Sequence, residues 1–495
     1  MFINFRSRQV NIFMNENSNN PTEDNNVNEE KTLTKENAAA PRTRVAVDLG
    51  KGSVHRLLLK LAVPTVISQL VNLLYNIVDR VYIGHIPFEG VQALTGLGLC
   101  MPILMIVTAC SSLIGTGGAP RAAIFMGRGD NTQAEHILGN CFKMLIILAL
   151  LLTVGVEAFA VPLLKLFGAS SDTLPYALSY LRIYAVGTIC VMISLGLNSF
   201  ITTQGATSVS MKTVLIGAVI NIILDPILIF GFDMGVSGAA LATIISQFVS
   251  AIWVLKYLTG SKTQLKLKLS NTKLDKAIVL PVLALGVAPF IMSSTESILN
   301  IAFNASLSRY GGDIAVGSMT ILSSVMQLQM LPVQGLAQGA QPLMSYNFGA
   351  GKPDRVKSAF KALLVTSLGY TLIFWAAVQL FPGVFVAIFN SSSEELMQAA
   401  SRALRIYMGT SGLFGIQMAV QMFFTSLGEA KLSLFVAILR KIILLIPLIL
   451  ILPIFMSDKV TAVFLAEPIA DLISVVVCTM LFAVNIRNIL NKARR

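Results

Sequence analysis

Eight ionisable side chains stand inside long apolar stretches of this sequence: Asp79, Glu157, Asp225, Glu296, Arg440, Lys441, Glu467 and Asp471. In hydrocarbon each would cost at least about 2.5–3.5 kcal/mol, so each calls for a reason. Asp79 lies near the outward end of the first stretch. Asp225 lies 16 residues into the fifth, about 24 Å along a helix. Asn221 is one turn before it on the same face, and Pro226 follows and cannot donate a backbone hydrogen bond. Thr243 sits roughly 9 Å into the sixth stretch, which runs the other way. Two carboxylates, an amide and a hydroxyl therefore reach one depth. An all-oxygen cluster with negative charge suits a proton or a hard cation such as Na⁺. Two carboxylates held together can share one proton, which makes protonation usable as a switch. A structural reading stays open, in which Asp79 pairs with Arg80 and Asp225 caps a kink.

Other polar groups point to further sites. Glu296 is flanked by Ser293, Ser294, Thr295 and Ser297, a polar patch that suits a cavity wall or an internally bonded acid. Gln417 and Gln421 in the tenth stretch are candidates to share a second cation or substrate site with it. Gln327, Gln334 and Met330 in the eighth stretch are candidates for a substrate cavity, because amides bond neutrally and thioethers adapt to varied apolar ligands. Arg440 and Lys441 in the eleventh stretch and Glu467 and Asp471 in the twelfth lie at comparable depth, so a structural ion pair between the two is expected. Glu157 is expected at the interface. The five cysteines lie in apolar stretches without a CxxC and read as small buried hydrophobes.

The elements that carry these residues are helices. The 495-residue chain is 55% hydrophobic and 13% charged, against about 25% charged in a soluble domain. That excludes a cytosolic enzyme, a secreted protein and a disordered scaffold. Twelve stretches are long enough for the roughly 20 residues a bilayer needs, and a backbone in lipid must bond internally. They fall at about 57–82, 91–117, 138–161, 174–203, 209–231, 237–259, 276–307, 313–340, 358–389, 395–427, 431–456 and 460–486. The net charge of +12 is concentrated in alternate loops, notably at Lys262, Lys266, Lys268, Lys273, Lys352, Arg355 and Lys357. Those loops are expected on the cytoplasmic side, with both termini. Clusters this short between spans argue against nucleic-acid binding.

The sequence divides into a cytoplasmic, disordered tail at 1–50, six helices at 51–259, a basic cytoplasmic linker at 260–275, six helices at 276–486 and a basic tail at 487–495. The first tail is rich in Asn, Glu, Thr and Ser, and its charges nearly cancel. It lacks the pattern of a signal peptide. The two halves are related by a repeat. Leu181-Arg182-Ile183-Tyr184 recurs as Leu404-Arg405-Ile406-Tyr407, Gly205 and Ser210 as Gly428 and Ser433, Pro120, Gly127 and Gly129 as Pro342, Gly349 and Gly351, and Pro64 as Pro289. Six helices per half make the repeat parallel, so two bundles can face each other across a central cavity. The fold class expected is an all-α membrane protein of twelve helices in two pseudo-symmetric six-helix bundles. No Walker A, H-E-x-x-H or G-x-S-x-G pattern is present, so neither ATP-driven pumping nor hydrolysis is expected. Asn390-Ser391-Ser392 fits a glycosylation sequon, a pattern short enough to arise by chance.

Several of these stretches resemble the multidrug and toxic compound extrusion (MATE) family, most of all its DinF/MepA-like branch. They are Tyr75-Asn76-Ile77-Val78-Asp79-Arg80-Val81-Tyr82-Ile83-Gly84, Asn221 through Pro226 and on through Gly231-Phe232-Asp233 to Thr243, Gly115 to Asp130, and Gln338 through Gly351. The resemblance spans about residues 55–485. It implies a bacterial plasma-membrane antiporter, without an enzymatic cofactor, in which H⁺ or Na⁺ enters as organic, often cationic, compounds leave by alternating access. It also implies that Asp79, Asn221, Asp225 and Thr243 form the cation site. Glu296 matches the acid of the NorM-like branch, but the aspartate that accompanies it there is not evident, and Gln417 and Gln421 stand in that span. The partners expected are small organic substrates and the bilayer, and the state expected is a monomer. A lipid-linked oligosaccharide flippase of the same architecture, an intramembrane enzyme and a non-transporting membrane sensor are the alternatives.

Overall fold

A computed structural model describes residues 46–87, 89–389 and 394–493. The tail as far as residue 45, the Asn390-Ser391-Ser392 sequon, and Arg494 and Arg495 lie outside the described residues. Within them the chain is helical, in the order α1 (Val54–Gly84), α2 (Gly90–Gly127), α3 (Asn131–Leu166), α4 (Leu174–Thr203), α5 (Thr207–Pro226), α6 (Gly235–Thr259), α7 (Lys276–Gly349), α8 (Pro353–Leu380), α9 (Pro382–Ala387), α10 (Glu394–Tyr407), α11 (Phe414–Ser426), α12 (Ala430–Ile438), α13 (Ile446–Phe455) and α14 (Lys459–Lys492). Ten of the helical segments are long and apolar enough to cross a membrane.

Twelve crossings come from these elements once two irregularities are resolved. The 74 residues of α7 would be far too long for one crossing. The helix breaks at Gly312, whose φ of 60° and ψ of −156° only glycine adopts readily. Both of its ends then lie against the last turns of α2, where Gly117 meets Val282 and Gly349 meets Ile124. Its two arms are the seventh and eighth crossings. The tenth crossing, expected as one continuous stretch at 395–427, is instead two short helices, α10 and α11. The break at 408–413 frees backbone carbonyls, and side chains take them up. Trp375 donates to Gly409 at 2.9 Å, Gln329 to Ser411 at 3.1 Å and Thr371 to Gly412 at 2.7 Å. A break in lipid is tolerable only with such partners.

The repeat is visible in the helix ends. At Gly129, Gly205, Gly351 and Gly428 the chain turns left-handed, with φ between 67° and 84°. At each, the following residue's N–H reaches back five residues, as Asp130 does to Phe125 and Glu429 to Phe424, a glycine-terminated helix stop. The expected first tail needs correcting at its end. Leu49 is buried, and the backbone at 49–52 accepts hydrogen bonds from Asn347, Lys352 and Arg355, while Val47 donates to Gly205. Residues 46–52 are therefore an ordered strap across the end of the molecule that carries the basic loops. The basic tail at 487–495 is likewise corrected: α14 continues through Arg487 to Lys492. The linker at 260–275 packs on the first bundle, with Leu265 buried and Gln204 accepting from Thr263, Gln264 and Leu265.

The two halves have separate cores, one built on α2–α6 and another on the arms of α7 with α10, α13 and α14. They also meet through backbone, about 12–21 Å in from the helix ends at the basic side. A Cβ on Gly335 would lie 2.6 Å from Val66 Cα, and one on Gly339 2.5 Å from Ala62 Cα. Gly286 packs in the same way on the carbonyl of Leu113. The start of α1, grouped by sequence with the first bundle, shares a third core with the second: Val54, Leu58, Leu61 and Ala62 pack with Leu343, Val356 and Phe423.

Candidate cation site and buried charge network

α1 reaches from one bundle into the other. Its first turns hold to the second bundle, where the Thr65 hydroxyl donates to Gly335 O at 2.6 Å. Pro64, inside the helix, leaves the carbonyl of Lys60 without its usual donor. Four turns further on, Asp79 enters the first bundle and is 9% exposed. It faces Asp225, fully buried on the last turn of α5, within hydrogen-bonding reach.

The spacing of Asn221 and Asp225 puts both on one face of α5, and Asn221 Nδ2 donates to Asp225 Oδ1 at 3.2 Å. The same amide nitrogen lies 3.5 Å from the Thr243 hydroxyl on α6. After Pro226 the helix widens into a π-helical turn at Ile227–Gly231, of a kind common at functional sites. All four residues of the expected cation site are thus brought together. Three buried oxygens in the group, Asp79 Oδ1, Asn221 Oδ1 and Asp225 Oδ2, have no partner. Buried acceptors are rarely left so. The donor set, two carboxylates with an amide and a hydroxyl oxygen, fits a proton or a hard monovalent cation. No cluster of three or more His, Cys, Asp or Glu able to hold a metal occurs among the described residues.

Sequence reasoning did not find the tyrosines around this site. Tyr180 lies against Thr243 and Asp79, Tyr75 is beside Asp79, and Tyr180 stacks on Tyr184 at 6.2 Å. The i,i+4 spacing of Tyr75 to Asp79, and of Tyr180 to Tyr184, was the available signal. Deeper in the same bundle a small cavity is lined by neutral polar groups, among them Asn72, Asn198, Thr213, Gln247 and Ser250.

The second bundle holds a different network. Arg440 donates to Asp471 at 2.5 Å and to Glu467 at 2.7 Å, and its side chain is 6% exposed. Lys441 does not join that pair: its ammonium bonds Glu296 and, at 2.7 Å, the carbonyl of Met292. The expected pair between the eleventh and twelfth crossings is therefore made by Arg440, and Lys441 turns to the seventh. Both cations lie on a π-helical turn at Leu439–Leu445. Gln417 and Gln421 are buried beside them and line a second cavity with Arg440 and Lys441. Of the candidates in the eighth crossing, Gln327 is exposed and Gln334 and Met330 half-buried, and none lines either cavity. Glu157 pairs with Arg182 at 3.8 Å on the surface.

The comparisons with known proteins agree with this architecture. Multidrug export protein MepA of Staphylococcus aureus (strain NCTC 8325 / PS 47) is 26% identical over 432 residues, covering 87% of this chain and 95% of the relative. The protein of the same name from Staphylococcus haemolyticus (strain JCSC1435) is 26% identical over 402 residues, covering 81% and 88%. A solved structure described as the outward-facing conformation of a multidrug resistance MATE family transporter of the MOP superfamily superposes with a TM-score of 0.82 at 22% identity, covering 91% of this chain and 99% of that one. A crystal structure of MATE in complex with MaD3S gives 0.84 at 21%, covering 90% and 99%. The MatE family model matches twice, at 64–227 and 289–451. The two matches begin at Pro64 and Pro289, the prolines that the internal repeat aligns. The chain is a multi-span membrane protein, a transporter rather than an enzyme, and it belongs to the MatE family.

Proposed function

We propose that this protein exports organic compounds, many of them cationic, in exchange for H⁺ or Na⁺ bound at Asp79, Asn221, Asp225 and Thr243. The three unpartnered oxygens that converge there carry the reading, because a bound cation would satisfy them together and a shared proton would join the two carboxyls. The names of the S. aureus and S. haemolyticus relatives support drug export. The basic end is read as cytoplasmic, with both termini, because the Lys and Arg of alternate loops collect there. The close contacts of Gly127 with Tyr346 and of Gly349 with Ile124 support reading that end as closed.

α1 supplies the mechanical link. Loading a cation changes the charge between Asp79 and Asp225 at its far end. The other end, past Pro64, carries Thr65 and the contacts to Gly335 and Gly339 that hold the bundles together. A shift or bend of α1 can thus couple the site to the opening of the cytoplasmic side. A lipid-linked oligosaccharide flippase would instead need free buried cations for pyrophosphate. Arg440 and Lys441 are both already bonded to carboxylates.

Reconstitution in liposomes with opposed Na⁺ and pH gradients tests the reading. Gradient-driven ethidium movement should occur with the unmodified protein and vanish in Asp79→Asn and Asp225→Asn. Gradient-driven movement at the unmodified rate by both variants would overturn it, and the gradient that drives transport identifies the ion.

A further inference from the structure

The linker at 260–275 carries charge that neither bundle uses. Along residues 262–268 its side chains alternate with a period of two. Thr263, Leu265 and Leu267 are buried against the first bundle, while Lys262, Gln264, Lys266 and Lys268 are exposed. Glu135 on α3 accepts from the backbone N–H of Lys266 at 3.2 Å and from the Lys268 ammonium at 2.6 Å. Past Lys268 the chain follows α3. A Cβ on Gly139 would lie 2.4 Å from Asn271 O. Asn140 donates to the same oxygen at 3.4 Å and accepts from Asp275 N at 2.8 Å, and α7 then starts at Lys276. The face of α3 that the linker covers opens one turn further in. Lys143, four residues and about 6 Å beyond Gly139, is exposed, and Ile147, Leu150, Leu151 and Val154 continue that face, all exposed.

On a crossing helix such a stripe of large apolar side chains faces acyl chains, and Lys143 marks where it ends. The linker at 269–275 therefore lies at the level of the lipid headgroups. There Leu269 is 79% exposed and Leu274 43%, and Leu274 stands between the exposed Lys273 and Lys276. Glu135 neutralises Lys268, but Lys143, Lys266, Lys273 and Lys276 make no ion pair among the described residues. Free cations and exposed leucines together, at the edge of an acyl-facing stripe, call for an anion that carries apolar chains. We propose that Lys143, the linker at 269–275 and Lys276 form a docking surface for an anionic phospholipid in the leaflet at the basic end. The phosphodiester sits among Lys143, Lys273 and Lys276, Lys266 adds longer-range attraction, and Leu269 and Leu274 enter the acyl boundary. A lipid held here bridges α3 of the first bundle and the start of α7, and so ties the linker down. The surface shares no residue with the cation site, and the proposal stands whatever compound is exported.

Native mass spectrometry of the detergent-purified protein, titrated with phosphatidylglycerol or with phosphatidylcholine of the same chains, tests this. The first phosphatidylglycerol should bind about tenfold more tightly than the first phosphatidylcholine, since each lysine near a lipid surface contributes about fivefold. Lys143→Gln/Lys273→Gln/Lys276→Gln should erase that preference. Lys357→Gln/Lys361→Gln/Lys431→Gln removes equal charge elsewhere at the same end and should keep it. Leu269→Ser/Leu274→Ser leaves every lysine in place and should weaken phosphatidylglycerol several-fold. The proposal is overturned if the unmodified protein shows no preference, if the first triple variant retains it, or if the second loses it as fully. It is also overturned if the leucine variant binds unchanged, or if glycerol 1-phosphate binds as tightly as the lipid, because a site for a soluble anion needs no membrane.

Discussion

Replacing Arg440 by Met isolates the energetics of the buried network. The guanidinium sits between Glu467 at 2.7 Å and Asp471 at 2.5 Å, and all three side chains are no more than 6% exposed. The neighbouring buried cation is not free to replace it at both acids, since Lys441 is held by Glu296 and Met292. Its removal strands two carboxylates on one face of α14. Breaking a buried pair in this way costs about 3–5 kcal/mol, far more than the net worth of the pair against apolar replacements. Met keeps most of the volume and the contact with Phe414, so the loss is electrostatic. Arg440→Met/Glu467→Gln/Asp471→Asn should recover most of it. Cys478 offers a local reporter, being buried on α14 two turns beyond Asp471. Its labelling by a thiol-reactive fluorophore on heating should come several degrees earlier in Arg440→Met and return towards the unmodified temperature in the triple variant. An unchanged Arg440→Met, or a triple variant as unstable as the single one, would refute the reasoning.

Three shorter predictions concern the basic end and a helix start. Gly349→Leu places a side chain against the backbone carbonyl of Ile124 on α2, an overpacking cost of about 1–3 kcal/mol on the contact between α2 and the end of α7. Spin labels on the α4–α5 and α7–α8 loops should then show a longer distance population, and an unchanged distribution counts against that contact as the closure. Arg355→Ala removes the donor to Gly52 O at 2.9 Å and to the neighbouring strap carbonyls, so proteolysis within 46–52 should speed up several-fold while the helices stay protected. Asp458 accepts from the Thr461 hydroxyl at 2.6 Å and its N–H at 3.1 Å, which holds its carboxyl below the usual range. Its support of α14 is therefore present above the ordinary carboxylate pKa and lost as pH falls through the lowered one. Asp458→Ala should cost about 1 kcal/mol at neutral pH, and the difference from the unmodified protein should close in acid.

How much was legible in the sequence depends on whether the cause was local. Helix number and the depth of Asp79, Asn221, Asp225 and Thr243 follow from hydropathy and helical rise, both of which act along one chain segment. The break in the tenth crossing was hidden, because its carbonyls are satisfied by Trp375, Gln329 and Thr371 from other helices. The partner of Lys441 was hidden for the same reason. Neighbouring positions on an ordinary helix point about 100° apart, and the π-helical turn changes which groups each can reach, so equal depth did not imply one shared pair. The buried strap at 46–52 was hidden by composition: polar residues conceal that Leu49 docks in a core made by residues three hundred positions away.

The repeat explains why the two bundles carry unlike chemistry on like frames. In the first, Asn198 donates to Ser210 O at 3.3 Å and Thr202 to the Ser210 hydroxyl at 2.9 Å. In the second, Gln421 donates to Ser433 O at 3.0 Å and Thr425 lies 3.0 Å from the Ser433 hydroxyl. The same 223-residue displacement relates every member of the two sets, so the frame between the paired helices has been kept. At 224 residues, Thr243 and Gln247 correspond to Glu467 and Asp471, while Arg440 corresponds to Ile216 and Asp225 to Ile449. The first bundle thus has acids and no internal cation among them, and its unsatisfied oxygens must look outside the protein. In the second, Arg440 is the built-in counter-ion of Glu467 and Asp471, and Lys441 that of Glu296. On the proposed reading, the site that loads and unloads the cation is the one in the first bundle, between Asp79 and Asp225, whose oxygens are unpartnered.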